Sequence, residues 1–374
     1  MSDTPNGTPQ KGHGPSAAQL AWPHAPQTTA RRADVLQAQP FYGQPEAEEA
    51  ARRRVKRHAR DLPLKVGTRA SPLAMVQTRN FMSLLSRLCP VLKGMDVFQE
   101  HVIQTTGDAV QHRRLAEIGG KGLFAKEIHE ALLDGRVDMA VHSLKDLETT
   151  LPDGISLACT LTREDARDVL VLQDDPGSFD PTDPLASLRE CALVGTSSVR
   201  RQAQLLHARP DLRIEMIRGT VQSRLGKVRE GRYEASLLAL AGLRRLDLEH
   251  EATIILDPET MLPSPAQGIV GVTVRSDDTE LLEMLRAVED PIARAVATAE
   301  RAMLAVLDGS CATPIGGHAT IEPNGQLRLA GLVARADGSF LCRRVLTGTV
   351  ADAERLGRTM GAILRADSPC DVFH

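Results

Sequence analysis

The stretch that decides the fold is VDMAVHSLKDLETT, residues 137–150. Its apolar first half is typical of a buried strand, and polar residues follow from His142 onward. Other short apolar runs, such as LKVG at 64–67 and EASLLAL at 234–240, alternate with helix-like segments such as PLAMVQTRNFMSLL at 72–85. This alternation predicts a parallel α/β architecture.

The C-terminal part of the chain has a different pattern. A helix is expected from near Ile292 to about Leu307, with Pro291 suited to its first position. IGGHATI, QLRLAGLVA and FLCRRVLTG then indicate consecutive strands, and a closing helix follows over residues 351–364. We therefore predict two related α/β domains and a smaller C-terminal α+β domain. The predicted divisions are a disordered extension at 1–61, domain 1 at 62–165 and 264–288, domain 2 at 166–263, and domain 3 at 289–374.

Composition excludes several classes of protein. The chain has 374 residues, 42% of them hydrophobic, and a formal net charge of -3, which argues against nucleic-acid binding. Its apolar runs are far shorter than the roughly 20 residues of a membrane span, and its N-terminus lacks a signal-peptide core. We expect a cytoplasmic monomer without a membrane or nucleic-acid partner. The six cysteines show neither CxxC nor zinc-ligand spacing, so no disulfide framework or metal is expected.

The polar end of the opening stretch is the first candidate site. Ser143, Lys145 and Asp146 follow the buried strand, and ligands of α/β proteins bind at the carboxyl ends of such strands. The adjacent lysine and aspartate suggest proton or cation chemistry. The alternative is a surface ion pair with Ser143 as a helix cap. His142 is more often a satisfied strand-end histidine than a catalyst.

Two further turns in the first block are suited to anions. VGTRASPLA places Arg69 and Ser71 between a strand and a helix, where backbone N–H groups and the helix dipole favour negative charge. In EIGGKGLFAKEIHEALL, Lys121 is a candidate ligand-facing cation, although the GxxxxGK[ST] spacing of a phosphate loop is absent. Phe124 belongs either to the core or to a pocket wall.

The second block repeats this arrangement. VGTSSVRRQAQLL combines three hydroxyls with two guanidiniums at a predicted helix start, a strong carboxylate or phosphate site. IRGTVQSRLGKV and LALAGLRRL add two more basic turns. So many basic strand ends predict an elongated polyanionic ligand. The candidate residues of this block are Thr196, Ser197, Ser198, Arg200, Arg201, Arg218, Gly219, Arg224 and Arg245.

LDGSCATPIGG places Cys311 in a loop of small residues between a long helix and a strand. Such a loop can leave a thiol accessible. A small buried loop cysteine is the more frequent outcome for this composition.

The motifs GTRASPLA, GGKGLF, HSLKD, GTSSVRRQ and the cysteine loop before PIGG together resemble the porphobilinogen deaminase family, in order and spacing, from about Leu64 to the C-terminus. The resemblance implies two domains similar to type II periplasmic binding proteins, with a third that carries a cofactor cysteine. It also implies a transferase that joins four porphobilinogens on a covalent dipyrromethane primer and releases hydroxymethylbilane by hydrolysis. Departures from the commoner family pattern occur at Glu117, Glu148, Thr220, Ala266, Thr273 and Ser310.

The resemblance also assigns roles to the candidate residues. Asp146 would be the catalytic carboxylate, which accepts hydrogen bonds from pyrrole N–H groups and stabilises the positive charge that develops as ammonia leaves. Cys311 would form the thioether to dipyrromethane. The arginines and lysines would bind acetate and propionate groups. Cofactor binding is expected at Ser143, Lys145, Thr196, Ser197, Ser198, Arg200, Arg201, Arg218 and Gly219, and substrate binding at Arg69, Ser71, Lys121, Phe124, Arg224 and Arg245.

A noncatalytic anion-binding protein on the same two-lobed scaffold is the competing hypothesis. It accounts for the basic turns, but it does not account for Asp146 together with Cys311.

Overall fold

The computed structural model describes residues 62–88, 97–109, 122–174, 176–307 and 313–373. The predicted extension at 1–61 lies outside these ranges. Three separate sheets make up the described part, and they draw their strands from different stretches of the chain. No helix within the described ranges is long and apolar enough to cross a membrane.

The first sheet has five strands in the order β2-β1-β3-β10-β4. β1 pairs in parallel with both β2 and β3, whereas β10 is antiparallel to β3 and β4. The strands are β1 (Leu64–Arg69), β2 (Phe98–Ile103), β3 (Met139–Ser143), β4 (Ile155–Thr160) and β10 (Val270–Arg275). The helices are α1 (Pro72–Leu88), the short α2 (Thr106–Ala109), α3 (Lys126–Leu133) and α7 (Thr279–Arg286).

The second sheet repeats this topology in the order β7-β6-β8-β5-β9. Here β5 is the antiparallel strand, between β8 and β9. The strands are β5 (Asp168–Leu172), β6 (Leu193–Gly195), β7 (Arg213–Glu215), β8 (Ala235–Ala239) and β9 (Ile254–Ile255). The helices are α4 (Val199–Ala208), α5 (Val221–Arg229) and α6 (Leu240–Arg245).

The antiparallel strands β5 and β10 qualify the prediction of parallel sheets. Each is the first strand after the chain has crossed from one sheet to the other. β10 lies between β3 and β4, and β5 lies between β8 and β9. The other four strands of each sheet run parallel, as the alternating pattern predicts. The predicted fold class, two related α/β units and a smaller C-terminal α+β unit, is confirmed.

The C-terminal sheet is an antiparallel meander covered by two helices. Its strands are β11 (Ile315–Ile321), β12 (Leu327–Ala334) and β13 (Leu341–Gly348), and its helices are α8 (Pro291–Val306) and α9 (Ala353–Ala366). The three predicted strands and both predicted helices are therefore confirmed. Asp290 begins α8 by accepting hydrogen bonds from the N–H groups of Ile292 and Ala293. Gly361 of α9 lets this helix approach α8 closely, because a Cβ at position 361 would lie 2.8 Å from the carbonyl oxygen of Met303 of α8.

Candidate active site

The candidate residues of the first sheet lie on the turn that follows β3. The strand ends at Ser143 and continues as a single 3-10 turn, Leu144–Asp146. The N–H of Leu144 donates to the carbonyl of Ile269, 2.9 Å away, and the Leu144 side chain is fully buried. Since this leucine anchors the turn in the core, Lys145 and Asp146 stand at the carboxyl edge of the sheet.

The alternative of a surface ion pair with a serine cap is wrong for this turn. Ser143 makes no capping hydrogen bond, and its hydroxyl lies 3.0 Å from Nε2 of Gln77. Lys145 donates from Nζ to Oε1 of Gln267 at 3.0 Å. His142 is the satisfied histidine that the sequence favours. It is bonded to Thr273 Oγ1 at 2.8 Å, and burial lowers its pKa to about 3.

Arg69 at the end of β1 links the turn to a carboxylate that the sequence reasoning missed. Its Nη2 and Nε donate to both oxygens of Asp108, at 2.5 and 3.1 Å, and its Nη1 lies 3.4 Å from Asp146 Oδ2. The guanidinium stacks 4.0 Å from the ring centroid of Phe124, so Phe124 is a wall of the site. Burial raises the pKa of Asp108, but the hydrogen bond and charge of Arg69 outweigh burial and lower it overall.

Lys145 is connected through Gln267 to the second sheet. Gln267 accepts from Lys145 and donates from Nε2 to Asp168 Oδ1, 2.7 Å away. Burial lowers the pKa of Lys145 to about 8, although the neighbouring charge of Asp146 opposes the shift. Near neutral pH most of the lysine is therefore charged, in an environment where an anion would be bound strongly.

Arg200 and Arg201 share one internal carboxylate. Asp168 accepts from Arg200 Nη2 at 2.8 Å and from Arg201 Nη2 at 2.7 Å, and all three side chains are buried. Each guanidinium also donates to a backbone carbonyl, of Leu262 and Leu237 respectively. Burial alone would raise the pKa of Asp168, but the charges of the two arginines outweigh burial and lower it overall. Asp168 is therefore ionised, and two arginines with one carboxylate carry a net positive charge. Arg201 Nε has no hydrogen-bond partner among the described residues.

The predicted hydroxyls have local structural partners. Ser71 Oγ accepts from the N–H of Ala74 at the start of α1, and Ser198 Oγ accepts from the N–H of Arg201 at the start of α4. Thr196 Oγ1 accepts from the N–H of Ser198, and Ser197 Oγ donates to the carbonyl of Ile217 at 2.6 Å. These contacts fix the conformation of the turns before α1 and α4, next to which the basic residues lie.

Arg218 connects the second sheet to the first, and Arg224 lies close behind it on the same turn and helix. Arg218 Nη2 donates to the carbonyl of Gly107, beyond β2, at 3.1 Å. Arg224 Nε donates to the carbonyl of Gly219, whose φ of +119° favours glycine. Burial lowers the pKa of Arg224 to about 10, and the charges of Arg201 and Arg218 contribute to that shift.

One further predicted residue contacts the crossover between the two sheets, and two others lie outside the described residues. Arg245 donates from Nη2 to the carbonyl of Gly268 at 2.6 Å, in the crossover before β10. Lys121 and Cys311 lie outside the described residues, as do Glu117 and Ser310. Helix α8 ends at Val306, in the segment that leads to Cys311.

The fold and the site together define an α/β protein with two related sheets, in which carboxylates and buried cations from both sheets lie together at the carboxyl edge of the first. The chain belongs to the porphobilinogen deaminase family. The profile described as the porphobilinogen deaminase dipyromethane cofactor binding domain matches residues 64–283, and the profile of the C-terminal domain of the same family matches residues 295–366.

Curated relatives support this assignment over most of the chain. Porphobilinogen deaminase of Paracoccus denitrificans is 43% identical over 83% of this chain and 96% of the relative. The protein of the same name from Roseiflexus castenholzii is 46% identical over 79% of this chain and 94% of the relative. The chloroplastic porphobilinogen deaminase of Oryza sativa is 42% identical, over 76% and 78%.

Two solved structures match the chain at low TM-score and low sequence identity. The VFT2 domain of Bordetella pertussis BvgS has a TM-score of 0.35 and 16% identity, with 67% of this chain and 93% of that chain covered. An arginine-specific periplasmic binding protein of Salmonella typhimurium has a TM-score of 0.35 and 15% identity, with 62% and 93% covered.

Proposed function

We propose that this chain is a transferase that deaminates porphobilinogen and joins four molecules of it head to tail on a dipyrromethane primer, with Asp146 as the catalytic carboxylate. The observation that carries the proposal is the position of Asp146, on the turn after β3 and 3.4 Å from Arg69. Cations from both sheets lie near it, since the charge of Asp146 acts to raise the pKa of Arg69 on the first and of Arg224 on the second. The reaction needs this combination, because the substrate carries two carboxylates and one of its carbons becomes cationic as ammonia leaves.

The residues of the cleft fit a dipyrromethane group. Its acetate and propionate side chains require cationic donors, and Arg201 supplies a buried Nε that has no partner among the described residues. Lys145, Arg200, Arg201 and Arg218, with the turns at Ser143, Thr196, Ser197, Ser198 and Gly219, would hold the group. Cys311 would anchor it through a thioether. When bound, dipyrromethane supplies the pyrrole carbon to which the first substrate is joined.

Asp146 would act on the substrate in two ways. Its carboxylate oxygens accept hydrogen bonds from the pyrrole N–H, and its charge stabilises the cation that forms when the amino group leaves as ammonia. Arg69 restrains the carboxylate from one side, and its own position is fixed by Asp108 and Phe124. This preorganisation means that the charge is in place before the C–N bond breaks.

The substrate's carboxylates would be held by Arg69, Ser71, Arg224, Arg245 and Lys121, with Phe124 as a wall. Each charge-assisted hydrogen bond contributes only about 1.5–3 kcal/mol, so a growing polyanion needs many of them. The domain boundaries at 62–165 with 264–288, 166–263 and 289–374 are part of this proposal. Cytoplasmic location and a monomeric state stay predictions, which cell fractionation and light scattering would test.

Intact mass of the purified protein tests the proposal directly. We expect a covalent dipyrrole adduct, coloured by Ehrlich's reagent, on the parent and on Cys370→Ser, and no adduct on Cys311→Ser. Cys370 is a matched control because it is a free, exposed cysteine of the same C-terminal region. Absence of the adduct from a folded, freshly made parent would favour the noncatalytic anion-binding protein.

A further inference from the structure

The backbone that follows Asp146 is held by an arginine of helix α8. Arg301 donates from Nη1 to the carbonyl of Leu147 at 3.0 Å. Its Nη2 donates to the carbonyls of Glu148 and Thr149, at 2.5 and 3.3 Å. One guanidinium thus binds three consecutive peptide groups, and the first of them belongs to the residue next to Asp146.

The leucines on either side of Lys145 and Asp146 are anchored to the same helix. Leu144 and Leu147 are 0% and 4% exposed, and they belong to the apolar cluster that contains Val296, Ala299 and Met303 of α8. The cluster extends into the C-terminal sheet. The turn that carries Asp146 is therefore part of the first sheet by its hydrogen bonds and part of the α8 core by its side chains.

The charge and the shape of Arg301 suit this contact. The side chain is partly buried, and burial lowers its pKa to about 10, with the carboxylate of Glu148 opposing the shift. The guanidinium is therefore charged at neutral pH. Its planar fork can donate to several carbonyl groups at once, whereas a lysine ammonium is a single point that cannot span three peptide groups.

We propose that Arg301 is a positioning residue for Asp146, which holds the segment Leu147–Thr149 against α8 and so fixes the carboxylate relative to the helix that leads to Cys311. The inference rests on the proposed function of Asp146 and deepens it. Arg301 would act only through the backbone of this segment. Since a displacement of about 1 Å at a reacting group can reduce a rate about 100-fold, a loosened segment should slow turnover more than it weakens substrate binding.

Arg294 provides a matched control on the same helix. Its Nη2 donates to the carbonyls of Leu157 and Ala158, at 3.3 and 3.1 Å, and it pairs with Glu289. It is therefore also an arginine of α8 that binds consecutive carbonyls of the first sheet, but those carbonyls lie on β4. A purely structural role would make the two arginines equivalent.

The experiment compares Arg301→Gln, Arg301→Lys and Arg294→Gln in the full chain. Three quantities are measured: the melting temperature, kcat and KM for porphobilinogen, and amide hydrogen exchange of the peptide that covers residues 144–149. We expect Arg301→Gln to lower kcat about tenfold or more with KM changed less than threefold, and to speed exchange at 144–149. Arg301→Lys should recover only part of kcat, and Arg294→Gln should lower the melting temperature without affecting kcat or exchange at 144–149.

Equal losses of kcat in the two glutamine variants would overturn the proposal, as would unchanged exchange at 144–149 in Arg301→Gln. The exchange measurement needs no substrate. If the parent did not turn over porphobilinogen, the proposed function would be wrong, and the exchange data would still decide whether Arg301 holds this segment.

Discussion

Arg218 and Gly107 join the two lobes across the cleft, since Nη2 of the arginine lies 3.1 Å from the carbonyl oxygen of the glycine. Gly107 follows β2 of the first sheet, and Arg218 follows β7 of the second. Burial lowers the pKa of Arg218, and the nearby charge of Arg69 adds to this effect. The charge of Asp108 opposes the shift, and the charges of Arg69 and Arg218 both lower the pKa of Asp108, so the two arginines and this carboxylate form one group.

Arg218→Leu should impair loading of the primer and the binding of substrate beside it. The variant removes one charge-assisted contact of about 1.5–3 kcal/mol, so the yield of primer-loaded enzyme should fall and KM for porphobilinogen should rise about tenfold or more. Steady-state kinetics would measure this change. Arg213→Leu, which alters an exposed arginine of β7, should leave KM unchanged. A normal KM and a normal yield of primer-loaded enzyme in Arg218→Leu would contradict a polyanion site.

Asp146→Asn should abolish most turnover with little loss of stability. Asparagine keeps the size of the side chain but removes the negative charge, and loss of such electrostatic stabilisation costs about 100- to 1,000-fold in kcat. Ammonia release from porphobilinogen measures the effect, and Asp153→Asn, at an exposed loop position, is the control. Near-normal ammonia release by a folded Asp146→Asn protein would remove Asp146 from the reaction.

Lys145 should give the pH profile of primer loading an alkaline limb, that is, a fall above neutral pH. Burial lowers its pKa to about 8, so the chain without primer loses this positive charge as the pH rises through about 8. The yield of primer-loaded enzyme, measured by intact mass after the primer-free chain is incubated with porphobilinogen, should fall over the same range, because the uncharged lysine binds the primer's carboxylates more weakly. In Lys145→Arg the limb should disappear between pH 7.5 and 9.5. An identical limb in both proteins would assign it to another group.

Asp168→Asn should be strongly destabilising. The change leaves Arg200 and Arg201 buried without their shared carboxylate, and breaking a buried ion pair in this way costs about 3–5 kcal/mol. Chemical denaturation at pH 7 would measure the loss. Asp165→Asn is the comparison, because Asp165 pairs with the more exposed Arg167. Similar stabilities of the two variants would show that the internal group does not need its negative charge.

The sequence predicted the positions of the strands and helices better than it predicted the partners of charged residues. Strand ends such as Ser143 follow from short apolar runs, and helix starts such as Asp290 follow from capping residues. Asp108 escaped notice because β2, FQEHVI, mixes polar and apolar residues and does not read as a buried strand. Its pairing with Arg69 depends on the adjacency of β1 and β2, which is a property of the folded sheet.

The same reason explains why Arg200 and Arg201 were expected to face only a ligand. Their partner Asp168 begins β5, and only the antiparallel insertion of β5 beside β8 brings that carboxylate beneath α4. The backbone at Ala266 is a second feature that the sequence did not predict. Its φ of +60° lies in the left-handed region, which favours glycine. Thr220, another departure from the commoner family pattern, caps α5 by accepting a hydrogen bond from the N–H of Ser223.

The position of β10 between β3 and β4 determines the order in which the lobes can be finished during synthesis. All strands of the second sheet lie between Asp168 and Ile255, so a nascent chain contains them before it contains β10. The first sheet, by contrast, stays open between β3 and β4 until Val270–Arg275 has left the ribosome. Because domains tend to fold as units while the chain emerges, the lobe that the ribosome begins first is the lobe that it completes second.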